Sequence, residues 1–154
     1  VTLDLDRIMT RVNPLVAWVL RSPLHPLLDR GLLLLRVTGH RTGRQYWIPV
    51  GYQRDGGKIT VLVSKAPRKQ WWRNYRVPGP ADVLLRGRTL HGRAHVIPTD
   101  STAFQDAIER TFHRLPGLSR QFGIRYDRRT GLTPAQRQAV AANAAVVSID
   151  VGSE

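Results

Sequence analysis

The chain of 154 residues has no cysteine. Disulfides, thiolate metal sites and cysteine nucleophiles are therefore excluded, and the redox compartment stays unread. The five histidines (His25, His40, His91, His95, His113) are too scattered for a metal-ligand spacing, so no bound metal is expected. Acidic side chains number 11 against 24 lysines and arginines. Long apolar runs are missing as well. The first is broken by Pro14, Arg21, Pro23 and Pro26, whereas a spanning helix needs about 20 predominantly apolar residues. The start carries Asp4 and Asp6 and shows no secretory pattern. A cytoplasmic protein is expected, or one that touches a membrane surface peripherally.

What is present is positive charge, and it is concentrated. Of the formal +13, residues 36–97 hold +11, leaving +1 on each side. Charge gathered in this way raises the local concentration of an anionic partner, whether a nucleotide-like cofactor, a nucleic acid or lipid headgroups. Three of the four tryptophans, Trp47, Trp71 and Trp72, fall in the same stretch. The length suits a single domain over 1–154, able to bury about two thirds of its unfolded surface. No repeat or linker divides it.

In chain order, residues 3–28 show a helical apolar pattern punctuated by Asn13-Pro14 and Ser22-Pro23, each a capping residue before a first-turn proline. A helical segment over 1–30 follows, packing across one opening of the domain or against a membrane interface. Strands are predicted over Gly31–Thr38, Tyr46–Gln53, Lys58–Ser64, Ala81–Leu85, Arg88–Val96 and Val146–Val151, with hairpins at Asp55-Gly56-Gly57 and Arg86-Gly87. Tyr46–Gln53 places Trp47, Pro49 and Gly51 on one face. Proline cannot donate to a ladder and glycine has no side chain, so this face leaves a flat space that suits a planar ring or a barrel corner.

Lys69–Arg76 reads as a short basic helix. Ser101 caps a helix with Phe104, Ala107, Ile108, Phe112 and Leu115 on its apolar face. Residues 118–132 read as an irregular basic loop anchored by Phe122 and Tyr126. Thr133-Pro134-Ala135-Gln136 has the form of a capping box opening a last helix. The expected core includes Ile48, Val50, Ile59, Val61, Val83, Leu85 and Val147.

Six short antiparallel strands, a late closing strand and helices over the ends have the pattern of a small barrel. Five motifs then occur in order: Thr38-Gly39-x-Arg41-Thr42-Gly43-Arg44, Pro49, Asp55-Gly56-Gly57, Ser64-Lys65 and Trp71-Trp72-x-Asn74. Together, over roughly residues 32–97, they resemble a divergent branch of the deazaflavin-dependent nitroreductase family. The resemblance implies the split β-barrel fold of flavin reductases and coenzyme F420, with FMN less favoured. It also implies that Arg41, Thr42, Gly43 and Arg44 approach the cofactor's phosphate and acidic tail. Ile48 and Pro49 would back the ring, Ser64 and Lys65 would meet the phosphate or ring edge, and Trp71 and Asn74 would pack and fix the loop. Tyr126 is a candidate for the substrate side, and no catalytic residue is identified.

A deazaflavin enzyme carries its hydride on the cofactor, so the lack of a catalytic triad is no objection. The expected acceptor is hydrophobic, such as a quinone, nitroaromatic or unsaturated lipid, and the protein a monomer or homodimer. A non-catalytic fatty acid carrier with a degenerate cofactor groove is the alternative. A nucleic-acid binder would use the same charge and stack bases on the tryptophans. Because the charge sits on the motif loops, no nucleic-acid partner is expected.

Overall fold

The computed structural model describes residues 32–38 and 42–152. The expected helices over 1–30, and Gly39, His40 and Arg41, lie outside the described residues. Within them the chain forms seven strands: β1 (Leu32–Thr38), β2 (Gln45–Gly51), β3 (Gln53–Asp55), β4 (Lys58–Ser64), β5 (Gly79–Leu85), β6 (Arg88–Ile97) and β7 (Ala144–Asp150). Two helices, α1 (Thr102–Arg114) and α2 (Pro134–Asn143), come between β6 and β7.

The strands form one sheet in the order β2-β1-β5-β6-β7-β4-β3, antiparallel throughout. The outermost strands, β2 and β3, are consecutive in the chain and joined by Tyr52 alone. Two Cα–Cα steps span at most about 7.6 Å, so the two ends of the sheet must meet. The sheet curls into a split β-barrel whose seam lies at Tyr52. The single predicted strand Tyr46–Gln53 is thus two strands, which corrects the count from six to seven. The chain leaves one sheet edge and joins the other within a single residue, and no alternation pattern signals that exchange.

Period-2 alternation fills the barrel. Ile59, Val61 and Val63 of β4 point inward to meet Ala145, Val147 and Ile149 of β7 and Leu33, Leu35 and Val37 of β1. Of the expected core, Ile59, Val61, Val83, Leu85 and Val147 are buried, while Ile48 and Val50 on the edge strand β2 pack against it half-buried. The interior is so tight at Gly92 that an added Cβ would lie 2.6 Å from the Asp150 carbonyl oxygen. The Arg86-Gly87 hairpin is made by two consecutive left-handed residues, φ 50° and 77°, as a two-residue type I′ loop requires.

The helices cover the opposite face of β4, β6 and β7. Phe104, Ile108 and Phe112 of α1 pack with Ile97, Val146 and Val140 in a second apolar cluster. Strand β7 is consequently buried on both faces. The Ser101 hydroxyl accepts from the Phe104 amide at 3.1 Å, and Thr133 with Gln136 forms a reciprocal capping box on α2. Two expectations need correction. Leu115 is 50% exposed, because α1 ends at Arg114 and the backbone there has left the helical region. The loop after it begins as a 3-10 helix, Pro116–Phe122, started by the proline. Phe122 and Tyr126 do anchor it, each ring centroid 5.8 Å from that of Phe112.

Burial raises the pKa of Tyr75, which lies in the barrel core. Tyr126 is shifted the same way, by burial and then by its hydrogen bond to Glu109. In the unfolded chain a phenol ionises near pH 10. The unfolded state therefore loses protons first, and this part of the stability falls as pH climbs past about 10. We expect the urea midpoint to drop between pH 9 and 11, and to drop less in Tyr75→Phe.

Candidate functional site

The barrel interior is filled with side chains, so any sizeable ligand must bind outside it. Two cavities outside the barrel share the segment from Ser64 to Pro80 as a wall. The segment is held by local bonds. Lys65 adopts the left-handed conformation (φ 52°, ψ 40°) at the end of β4, turning the chain into a 3-10 turn over Ala66–Arg68. A second 3-10 helix follows over Trp71–Arg76. The continuous basic helix expected over Lys69–Arg76 is thus a 3-10 element starting at Trp71. Both pieces are too short to offer a helix N-terminus as an anion site.

Trp72 donates its indole N–H to the Ala66 carbonyl at 2.9 Å. The guanidinium groups of Arg73 and Arg76 stand over its ring at 5.6 and 5.2 Å. Trp71 and Trp72 are both half-buried against the barrel core. The Asn74 amide donates to the Thr38 carbonyl at 2.9 Å, tying the segment to the end of β1.

The first cavity, about 330 Å³, lies between the barrel seam and the helical layer. Gly51, Tyr52 and Gln53 form the seam side, with Thr60, Leu62 and Ser64 along the outward face of β4. Thr111 and Leu115 of α1 and Leu118 and Gln121 of the following turn face them, with Lys69 exposed at the rim. The Thr111 hydroxyl is already committed to the Ala107 carbonyl at 2.7 Å. The flat space foreseen beside Pro49 and Gly51 therefore opens, through Gly51, into this cavity.

The second cavity is an open groove of about 590 Å³ lined by Arg36, Thr38, Gly43, Arg73, Asn74 and neighbouring backbone up to Pro80. Arg36 connects it to the outer face of the sheet. Its register partners are Trp47 on β2 and Asp82 on β5; its guanidinium stands 5.6 Å from the Trp47 ring and pairs with the Asp82 carboxylate. Asp82 in turn contacts His91 Nδ1 at 2.7 Å. This row fixes Arg36 at the groove.

Among the described residues, two buried side-chain polar atoms lack a hydrogen-bond partner, Gln53 Nε2 and Arg73 Nε. Gln53 belongs to the wall of the first cavity and Arg73 to that of the second, with both atoms turned away from the open space. A buried donor left unmade costs about 1–3 kcal/mol.

The sequence-derived candidates divide accordingly. Ser64 lines the seam cavity, and Gly43 (φ 65°) and Asn74 line the groove. Thr42 and Arg44 are exposed on the turn that enters β2, joined by a 3.3 Å bond from the Arg44 amide to the Thr42 hydroxyl. Lys65 is exposed on the shared segment. Pro49, opposite Leu34, sits on the outer face of β2 and Ile48, opposite Leu35, on the inner. Arg41 lies outside the described residues. Tyr126 is in neither cavity; its hydroxyl donates to Glu109 at 3.1 Å within the helical layer. Sequence reasoning passed over Gln53, Lys69, Arg36 and Arg73. For Gln53 a signal existed, since it is next after Gly51 on the alternating flat face.

The fold is the split barrel of the flavin and deazaflavin oxidoreductases. The chain belongs to the F420H(2)-dependent quinone reductase family, whose model matches residues 23–121. Solved structures with the same fold include an F420-H2 dependent reductase, FDR-A. It is 16% identical, with 80% of this chain and 96% of that chain covered and a TM-score of 0.56. A structure described as a domain-swapped dimer is also 16% identical (95% and 93% covered, TM-score 0.56). The heme storage protein HutZ from Vibrio cholerae is 12% identical (86% and 93% covered, TM-score 0.55). No curated protein matches the sequence. No helix among the described residues is long and apolar enough to cross a membrane.

Proposed function

We propose that the protein is a coenzyme F420-dependent oxidoreductase that delivers a hydride to a hydrophobic acceptor such as a quinone, working as a homodimer. What carries this reading is the match of the F420H(2)-dependent quinone reductase model to residues 23–121, on a fold that sets a basic groove and an apolar cavity on either side of one wall. A cofactor with an anionic end and a carbonyl-bearing ring fits that division. Gly43, Asn74, Arg36 and Arg73 would hold the phosphate and acidic tail, joined by Arg41, Arg44 and Lys65 from the adjoining loops. Pro49, Gly51 and Ser64 would border the ring. When bound, the reduced deazaflavin supplies the hydride.

The chain's own residues bind, orient and exclude water. The basic groove attracts the anionic end over several ångströms and loses reach as salt shortens the screening length. Asn74 holds the shared wall on β1, fixing the spacing between anion groove and ring cavity. Leu62, Leu115 and Leu118 keep the reacting face dry, which strengthens every polar contact made there.

Lys65 supplies a test that separates binding from folding. A charge-assisted hydrogen bond contributes about 1.5–3 kcal/mol, so Lys65→Ala and Arg41→Ala should each weaken F420 binding roughly ten- to a hundredfold. Lys65→Gly should weaken it equally without lowering the melting temperature, because glycine takes a φ of 52° without steric cost. Tryptophan fluorescence, titrated with F420 and with riboflavin phosphate at two salt concentrations, checks this. We expect F420 to bind more tightly and with the steeper salt dependence. Unchanged affinity in both variants would remove the anion site from these loops. Quenching by a long-chain fatty acid but by neither cofactor would establish the passive lipid carrier instead.

A further inference from the structure

The inference here rests on the anion groove of that reading and concerns residues that act on it from outside. We infer that Asp82 is a positioning residue that couples the groove to the solvent-facing His91, so that an oxyanion on Arg36 and a proton on His91 are bound together.

The connection runs straight across the sheet. Trp47, Arg36, Asp82 and His91 are successive cross-strand partners on β2, β1, β5 and β6. Their chain neighbours Leu35, Val37, Ala81 and Val83 point into the barrel, which puts this row on its outer face. The Asp82 side chain is only 16% exposed and its two oxygens are divided. Oδ2 accepts from Arg36, and Oδ1 lies 2.7 Å from His91 Nδ1. Arg36 lines the groove while Asp82 does not, and the His91 side chain is 78% exposed. A single shielded carboxylate therefore joins a groove cation to a group in free proton exchange with water.

The second lining cation has no such link. Arg73 donates to neutral acceptors, Gln70 Oε1 at 3.4 Å and the Pro67 carbonyl at 3.3 Å, and no carboxylate lines the groove among the described residues. An oxyanion arriving at Arg36 must compete with Asp82 for the guanidinium. A cationic His91 eases that competition, because it draws on the same carboxylate with a full charge. The other charges near His91 do not reach the groove through it. On β6 the outward neighbours are His95 and Arg93; Arg93 donates to the Pro78 carbonyl at 3.3 Å and faces Asp150 of β7 in register. The 3-10 helix over Trp71–Arg76, which also packs on β6, holds Arg73 and Arg76 over the Trp72 ring. Strand β5 contributes Asp82 as its one charged residue and β1 contributes Arg36.

Linkage is reciprocal: the factor that protonation adds to anion affinity, the anion adds to proton affinity. Histidine changes charge between about pH 5 and 8, so anion binding should tighten as pH falls through that range. Linked sites commonly couple by about 5–150-fold. The exposure of His91 puts this pair at the small end, about fivefold.

The test uses pyrenetetrasulfonate, a fluorescent anion whose own charge is constant over that range, with the cofactor-free protein and fluorescence anisotropy as the readout. Binding should be about fivefold tighter at the acid end than at the alkaline end. His91→Gln, at an exposed position, should melt like wild type and keep the alkaline affinity throughout. Asp82→Asn should also lose the pH dependence, at an affinity no lower than the acid value, because Arg36 then keeps its full charge. Arg36→Gln should bind weakly at every pH. His40→Gln and His95→Gln should retain the wild-type profile, which separates His91 from the histidine of the basic loop and from its neighbour on β6. Replacing chloride by sulfate at constant ionic strength should move the imidazole NMR signals of His91 and not those of His95, a response that a merely structural role would not give. An unchanged profile in His91→Gln, equal movement of the two imidazoles, or no sulfonate binding overturns the inference; His91→Gln decides by itself if Asp82→Asn does not fold. F420 binding that ignores pH and His91 also overturns it and leaves the oxidoreductase reading intact. Sulfonate binding as described without F420 binding leaves the inference standing and removes that reading.

Discussion

Val61→Asp should yield a chain with no cooperative unfolding transition. Val61 is 1% exposed in the barrel interior and pairs with Val147, which is fully buried. Ile59 and Val63 beside it on β4 and Val147 across from it are aliphatic and offer no donor to an aspartate. The substitution forfeits roughly 1.5–3 kcal/mol of apolar burial and adds the cost of a buried carboxyl, several kcal/mol even after it takes up a proton. A domain's whole stability is about 5–15 kcal/mol. Circular dichroism on heating should show a shallow, featureless change. His95→Asp, on an exposed position of β6, should melt like wild type. A sharp wild-type transition in Val61→Asp would refute the inward facing of β4.

Phe112→Ala should fold but melt far earlier, and it should damage one cavity selectively. Phe112 is fully buried and is the ring against which both Phe122 and Tyr126 pack. Truncating a buried phenylalanine costs about 3–5 kcal/mol, which for a chain of this size lowers the melting temperature by roughly 6–20 °C. The same contacts position Leu118 and Gln121, which line the seam cavity, whereas no residue of the helical layer lines the basic groove. Binding of a naphthoquinone should therefore weaken below the melting temperature, while the salt-dependent part of anion binding stays. Phe112→Leu should recover most of both losses. Equal loss of the two kinds of binding would mean that the cavities are not independent.

The sequence was most legible where a local rule acts alone. Alternation in Lys58–Ser64 placed Ile59, Val61 and Val63 inward, the Asp55-Gly56-Gly57 and Arg86-Gly87 turns set their hairpins, and the Thr133–Gln136 box opened α2 as expected. It was least legible where tertiary geometry decides. Tyr52 reads as one more residue of a continuous strand, yet it is the joint at which the sheet closes. Ile48 and Val50 have the same pattern as Val83 and Leu85, but they belong to an edge strand and are only half-buried. Leu115 has the right spacing for the core face of α1, and the helix ends one residue too soon.

The walls of the two cavities were legible in the same uneven way. Motif order brought Ser64, Gly43 and Asn74 to cavity walls. Gln53, Lys69 and Arg73 were passed over because a place on a cavity wall depends on what lies across the space, which no local pattern in the chain records.

The position of β7 has a consequence for how the protein is made. It lies between β6 and β4, so before it arrives the sheet consists of two separate pieces, β2-β1-β5-β6 and β4-β3, hinged at Tyr52. On the ribosome those pieces emerge early, with the edges of β6 and β4 bare until residues 144–150 leave the exit tunnel. Pairing at such long sequence separation is slow, and exposed edges invite association with other chains. Nascent chains stalled before residue 144 should accordingly be protease-sensitive and retained by chaperones, and those stalled well beyond residue 152 should become resistant in a single step.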